Sequence, residues 1–238
     1  MSDIVKPPRT PWGTFPDVLI HASESAVKQH PAYKAAKSGD DEAAADLIFD
    51  TFSIEKTQAL EALAAGRTPT LVSAHAFERE GVNAIPEVFA DQLGKVLDWP
   101  VDTGVVQVNV VSHTGANGFW RLARQAEFEG MVTPGCDYVL VDDFVGMGGT
   151  LANLKGYIES NGGHVVAAVS LTGKSHSAKL APTAERLNEL REKHGTDFEN
   201  WWIGQFAHGF DALTESEARY LARTETADTI RNRITAAE

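Results

Sequence analysis

Cys136 is the only cysteine in this chain of 238 residues, which excludes an internal disulfide and any zinc site built on several cysteines. Long apolar runs are missing too, since none approaches the ~20 residues needed to cross a bilayer. The opening "MSDIVKPPRTPWGTF" has no hydrophobic stretch behind its charges, as a secretory leader would. Basic residues are in deficit, 21 against 33 acidic for a net charge of -12. That argues against a general binder of nucleic-acid backbones, which needs a basic face; a local basic pocket stays compatible with the balance. There is no internal repeat or low-complexity tract. These absences predict a cytoplasmic protein that works away from membranes; a homodimer is left open as its assembly.

What is present supports a substantial core: 43% of the residues are hydrophobic, enough for one large domain, or one domain with an appendage. Residues 1–16 are proline-rich and read as an extended arm. Residues 30–67 are alanine-rich with helical spacing, as at Leu47, Ile48 and Phe52, and predict two or three helices. Asp40 and Asp41 suit the start of one of them. From residue 68 the pattern changes to alternating strand and helix. Strands are predicted at 68–75, 105–112, 138–143, 164–172 and 200–206. A helix carries Ile85, Val88, Phe89, Val96 and Leu97 on one face, another carries Leu151, Leu154 and Ile158 and ends at the "NGG" of 161–163, and a third lies around Leu187 and Leu190. The last 28 residues read as helical, anchored by Ile230 and Ile234. The fold class is therefore α/β, a mostly parallel five-stranded sheet flanked by helices, with helical additions at both ends. The implied division is an N-terminal arm and helical segment (1–67), a core (68–206) and a C-terminal helical segment (207–238).

Each predicted strand ends in polar or small residues: His75, His113, Asp142 with Asp143, Lys174 with Ser175, and His208. In open parallel sheets, ligands bind outside the carboxyl ends of the strands. Any one of these residues alone reads as an ordinary loop residue; five along one edge predict a site.

The densest signal is "DYVLVDDFVGMGGTLANL", residues 137–154, in which an apolar strand runs into two aspartates and then a glycine-rich turn before a helix. Gly146, Gly148 and Gly149 let backbone approach an anion closely, the next helix offers unpaired N–H groups and the positive end of its dipole, and Thr150 adds a hydroxyl. Asp142 and Asp143 are too acidic to touch phosphate but suit the two hydroxyls of a ribose, so the segment describes a ribose-5-phosphate group. It is not a Walker P-loop, having no Gly-Lys-Ser/Thr after the glycines, and "GMGGT" lacks the spacing of the dinucleotide fingerprint. The plain alternative is a tight strand-to-helix turn with solvated aspartates.

On these residues the chain resembles the type I phosphoribosyltransferase family. "VLVDDFVGMGGTL" is similar to that family's signature of four hydrophobic residues, an acidic pair, two apolar residues and a small Thr/Gly-rich loop. The likeness is specific over about 138–151 and looser over 68–206, and in the family flanking segments often build a hood over the acceptor. It implies a transferase that uses 5-phosphoribosyl-1-pyrophosphate (PRPP) with Mg²⁺ and passes the phosphoribosyl group to a nitrogenous acceptor, usually a nucleobase. Asp142 and Asp143 would face the ribose 2- and 3-hydroxyls, directly or through metal-bound water. Gly146, Met147, Gly148, Gly149 and Thr150 would hold the 5-phosphate. Two departures matter. Met147 stands where the family commonly has Thr, and Gly146 stands where members that use 6-oxopurines carry an Asp base. A protein that retains the PRPP site as a sensor without turnover is the rival reading.

Other loops fall on the same edge. Residues 73–87 follow the first predicted strand, where the family places its pyrophosphate loop; Arg79 is the basic side chain there, His75 lies at its start, and Glu78 and Glu80 are either surface charges or act through Mg²⁺. Residues 112–131 form a connection long enough to be a lid, with Gly115 and Gly118 as hinges and Arg121 and Arg124 reaching pyrophosphate. The other reading of this stretch is a short amphipathic helix with Trp120 and Leu122 in the core. Lys174, Ser175 and His176 are expected near the acceptor, whereas His208 reads as structural.

Overall fold

The computed structural model describes residues 7–74, 77–78, 81–109 and 118–237. Its centre is a five-stranded, all-parallel sheet built from β1 (Leu19–Ala22), β2 (Thr70–Ser73), β5 (Val101–Asp102), β8 (Asp137–Val145) and β9 (His164–Gly173), in the order β1-β9-β8-β2-β5. Two small antiparallel pairs lie apart from it, β3 (Phe77–Glu78) with β4 (Gly81–Val82) and β6 (Val106–Gln107) with β7 (Phe128–Glu129). The helices before β8 are α1 (Glu24–Lys28), α2 (Tyr33–Lys37), α3 (Asp41–Thr51), α4 (Ile54–Ala64), α5 (Ile85–Leu97) and α6 (Gly118–Ala123). After it come α7 (Gly149–Ser160), α8 (Ala184–His194), α9 (Thr196–Phe206), α10 (Glu215–Arg223) and α11 (Ala227–Thr235).

The central strand β8 is apolar on both faces because both are covered, as parallel sheets require. Val139 and Val141 meet Leu47 of α3, Leu60 of α4, and Ile85, Phe89 and Leu93 of α5. Tyr138 and Leu140 meet Leu151, Leu154 and Ile158 of α7 on the other face. A third cluster joins α6 to the C-terminal helices through Phe119, Leu122, Trp202, Phe206, Phe210 and Leu221.

The five-stranded parallel sheet is as expected, but two of its members differ. Residues 200–206 are helix, not strand: Phe198, Trp202 and Phe206 recur at every fourth position and are all buried, a helical period that outweighs the β-preference of the aromatics. Of the stretch 105–112, only Val106 and Gln107 are in a strand, and they pair with β7 outside the main sheet; residues 110–112 lie outside the described ones. Those two places are taken by β1 and β5, which at four and two residues are too short to show a periodic pattern. Because β1 pairs with β9, the chain before residue 68 is part of the sheet. The arm is also packed, with Arg9 and Trp12 buried.

Two buried histidines make this packing sensitive to acid. His21 lies edge-on to Phe89, with its Nδ1 accepting from the Ser53 N–H at 3.1 Å. Burial, helped by the charge of Lys56, lowers its pKa from 6.5 to about 4. His208 is likewise lowered to about 4 by burial and then by Arg9. Below pH 6.5 the unfolded chain takes up protons that the folded chain refuses, so stability should decline from pH 6.5 to about pH 4 and level off below. Each histidine contributes roughly 3 kcal/mol to that decline, while the proton held tightly by Asp142 works in the opposite direction. Urea midpoints measured across this range should fall with acid, and more shallowly for His208→Asn. An unchanged slope would show that the ring is solvated.

Candidate functional site

The sheet order places a switch point between β2 and β8: the chain leaves β2 for β5 on one side and returns to β8 on the other. Loops diverge there and leave a crevice at the carboxyl ends. Ser73, the last residue of β2, is level with Val141, so Asp142 and Asp143 emerge at the mouth of that crevice. Asp142 is buried and Asp143 is half-buried. The Asp143 N–H donates to Asp142 Oδ1 at 2.8 Å, and Lys37 of α2 reaches Asp143 Oδ2 at 3.1 Å. Burial, followed by the neighbouring charge of Asp143, raises the Asp142 carboxyl well above its ordinary range, against the smaller pull of Lys37. Two carboxyl groups are thus held together with one lysine, bound to Asp143, as counter-charge.

β8 and β9 continue side by side to Val145 and Gly173. A Cβ on Gly173 would fall 2.3 Å from Val145 Cγ1, so only glycine lets the strands close there. The Lys174 N–H then bonds the Val145 carbonyl, which brings Lys174 beside Gly146. The glycine turn ends at Gly148, which begins α7 with φ +82° and no side-chain cap. The first-turn N–H groups of α7 are therefore available to an anion. The sequence suggests that the glycines here make room for a ligand, but two of them make room for the protein. A Cβ on Gly148 would meet Leu180 at 2.5 Å, and one on Gly149 would meet Glu217 Oε1 at 2.9 Å. Of these three glycines, only Gly146 lines the cavity described below.

The turn is held from beneath. Arg9 of the arm forms two hydrogen bonds with Glu217 of α10, at 2.7 and 3.1 Å, and a third at 2.5 Å with Asn153 of α7. Glu217 also accepts from the Thr214 N–H, and the Thr214 hydroxyl donates to the Met147 carbonyl at 2.5 Å. Met147 itself packs against the C-terminal helices.

Beside the turn opens a cavity of about 340 Å³. Phe144, Gly146 and Met147 form one wall, and Lys174 and His176 form the next. Glu24 and Lys28 of α1 and Arg121 of α6 close two further sides. Ser216, Arg219, Tyr220 and Arg223 of α10 complete it. Both flanking segments of the chain therefore cover the edge of the sheet.

Among the expected site residues, Asp142, Asp143, Arg121, Gly146, Met147 and Lys174 are gathered at this edge, with Thr150 and Gly149 at the start of α7 and Ser175 in the exposed 3-10 turn that follows Lys174. Arg124 is not in the cavity; it stacks over Trp120 at 5.0 Å and donates to the Ala237 carbonyl at 3.1 Å. His75 and Arg79 lie outside the described residues, as do His113 and Gly115. His208 is not at a strand end, because a helix precedes it. The middle of the expected lid, Gly118–Ala123, is packed as a helix, with Phe119 and Leu122 buried and Gly118 against the Tyr220 ring. This is the amphipathic alternative, except that Phe119 takes the core position expected of Trp120. The sequence reading missed Lys37, Lys28, Arg219, Tyr220 and Arg223. The last three had a readable signal, since 216, 219, 220 and 223 recur on one helical face of "ESEARYLAR".

No protein-family model matches the chain. It is 40% identical over 237 residues to protein TraN of Escherichia coli, an alignment covering 100% of this chain and 53% of that protein. It is also 38% identical over 151 residues to an uncharacterized protein of Haemophilus influenzae, covering 63% of this chain and 34% of that one. The chain thus spans about half the length of the first relative and a third of the second. Solved structures that it is similar to include adenine phosphoribosyltransferases. An adenine phosphoribosyltransferase matches at TM-score 0.37 and 15% identity, over 63% of this chain and 75% of that one. The adenine enzyme of Leishmania donovani matches at 0.35 and 17%, over 63% and 56%. What the protein does is read from its own site.

Removing the strap beneath the turn tests how far the site depends on it. Arg9→Ala leaves the Glu217 carboxylate buried without its counter-charge, at a cost of about 3–5 kcal/mol. Arg9→Lys should recover only part of this, since an ammonium cannot make the paired contact. Equilibrium urea unfolding checks both, and a loss below about 1 kcal/mol for Arg9→Ala would show that the pair is solvated.

Proposed function

We propose that the chain is a PRPP-dependent phosphoribosyltransferase, which binds PRPP at the carboxyl end of β8 and passes its 5-phosphoribosyl group to a nitrogenous acceptor. What carries this reading is one continuous feature at the switch point: a carboxylate pair ending the central strand, a glycine turn, and the uncapped start of α7. The N–H groups of that first turn suit a 5-phosphate, with the Thr150 hydroxyl beside them. The carboxylates suit vicinal ribose hydroxyls. In the reaction the bond from C1 to the pyrophosphate oxygen breaks, and its electrons leave with pyrophosphate. The acceptor nitrogen's lone pair then forms the new C–N bond, and the nitrogen loses its proton. Arg121, at the cavity wall, suits the charge that grows on the leaving group, so most of the rate enhancement comes from positioning and charge stabilisation.

The carboxylate pair also fits Mg²⁺, which takes oxygen ligands, keeps several waters and is commonly held by one or two carboxylates together with substrate phosphates. Among the described residues no group of three or more metal-ligating side chains exists, so substrate would have to complete the set. Asp142 and Asp143 would hold the ion, which supplies positive charge to the pyrophosphate. A PRPP sensor without turnover is the second reading, favoured by Met147, whose side chain is committed to the C-terminal helices where the family carries a hydroxyl donor.

Asp142→Asn combined with Asp143→Asn should lower turnover by about 10²-fold or more in a protein that remains folded. Pyrophosphate release, measured with PRPP, Mg²⁺ and a metabolite extract as the source of acceptor, checks this. Wild-type rates in the folded double variant would overturn the assignment of the pair. PRPP binding without pyrophosphate release from any acceptor would favour the sensor.

A further inference from the structure

The cavity beside the glycine turn carries a charge opposite to that of the protein around it. In a chain of net charge -12, its walls present Lys28, Arg121, Lys174, Arg219 and Arg223, with Glu24 as the single carboxylate among the described residues. That carboxylate is already engaged by Lys28 at 2.5 Å. Among the described residues, Lys174, Arg219 and Arg223 form no ion pair; Arg219 makes only a long contact, 3.4 Å, with the Ser216 hydroxyl. His176, on the same wall, is held below its ordinary pKa, by desolvation first and then by Arg219, Lys174 and Arg223.

The placement follows from the phase of α10. Ala218, Leu221 and Ala222 face the C-terminal core, and Thr214 and Glu217 face the glycine turn. Ser216, Arg219, Tyr220 and Arg223 occupy a separate face and turn to the cavity. The arginines are therefore not the groups that meet the start of α7, where a 5-phosphate would lie. Two aromatic rings, Phe144 and Tyr220, share the cavity with them, and Lys28 Nζ sits 4.2 Å from the Phe144 ring centre. A volume of about 340 Å³ suits one small ring system. Unpaired cations repel one another unless an anion joins them, and flat apolar walls favour a flat partner.

We propose that this cavity binds an anionic planar heterocycle, one whose ring carries a carboxylate, gripped by Arg219, Arg223 and Lys174. Resting on the reading of the site as a phosphoribosyltransferase, that heterocycle is the acceptor, and a neutral base is disfavoured because it leaves the mutual repulsion of the cations unrelieved.

Matched ligand pairs test the charge alone: orotate against uracil, and nicotinate against nicotinamide. Their binding to the full chain is measured by calorimetry with and without PRPP and Mg²⁺. The carboxylated member of at least one pair should bind at least tenfold more tightly than its neutral partner. Arg219→Gln with Arg223→Gln should abolish that preference while changing PRPP affinity by less than threefold. Equal or tighter binding of the neutral members, or no binding of either member of both pairs under either condition, overturns the proposal. So does a double variant that weakens PRPP or pyrophosphate and spares the carboxylated ring, because the arginines would then serve the phosphates. If PRPP fails to bind while the preference for the carboxylated ring stands, the transferase reading falls and the anion site survives.

Discussion

The ion pair between Arg9 and Glu217 is the contact on which the shape of the glycine turn depends. Both side chains are 2% exposed, so each charge has lost its water, and such a pair persists only when its geometry is good and its remaining donors and acceptors are filled. Here they are filled by Asn153 and by the Thr214 N–H. One contact thereby joins the N-terminal arm, the first turns of α7 and the start of α10. Thr214 extends the network to the Met147 carbonyl. Gly149 is glycine because a side chain there would collide with this pair.

The same arrangement divides the electrostatics of the edge. On one side of the turn lies the carboxyl pair, with the charge of Asp143 set against Lys37 and Asp142 held toward its protonated form by burial. On the other, α10 and the turn after β9 concentrate positive charge around the cavity. Regions of opposite sign a short way apart fit a substrate that brings hydroxyls or a metal to the first and negative charge to the second. The α10 side of this division reflects a helix with three distinct faces: an apolar face buried in the C-terminal core, a Thr214–Glu217 face bound to the turn, and a cationic face that lines the cavity.

The sequence by itself determined the elements whose pattern is local and long. The apolar run of β8 with its two aspartates, the glycine start of α7, the helix from Ile85 to Leu97 and the alternation that makes a parallel sheet all follow from periodicity and turn chemistry within a few residues. The carboxylates and the turn could be recognised for the same reason, because the residues that form them are adjacent in the chain. Tertiary structure decided the rest. It placed four residues of β1 and two of β5 in the sheet, where pairing with a neighbour supplies what so short a strand cannot supply alone. It made 200–206 a helix, in which Trp202 and Phe206 are buried while Gly204, which a strand would turn to the same face, is exposed. It sent Arg124 to the C-terminal segment and brought Arg219 and Arg223, about seventy residues after the turn, to the cavity. Which cations share a cavity depends on how helices dock, and docking is set by the sum of many buried contacts that no short stretch of sequence contains.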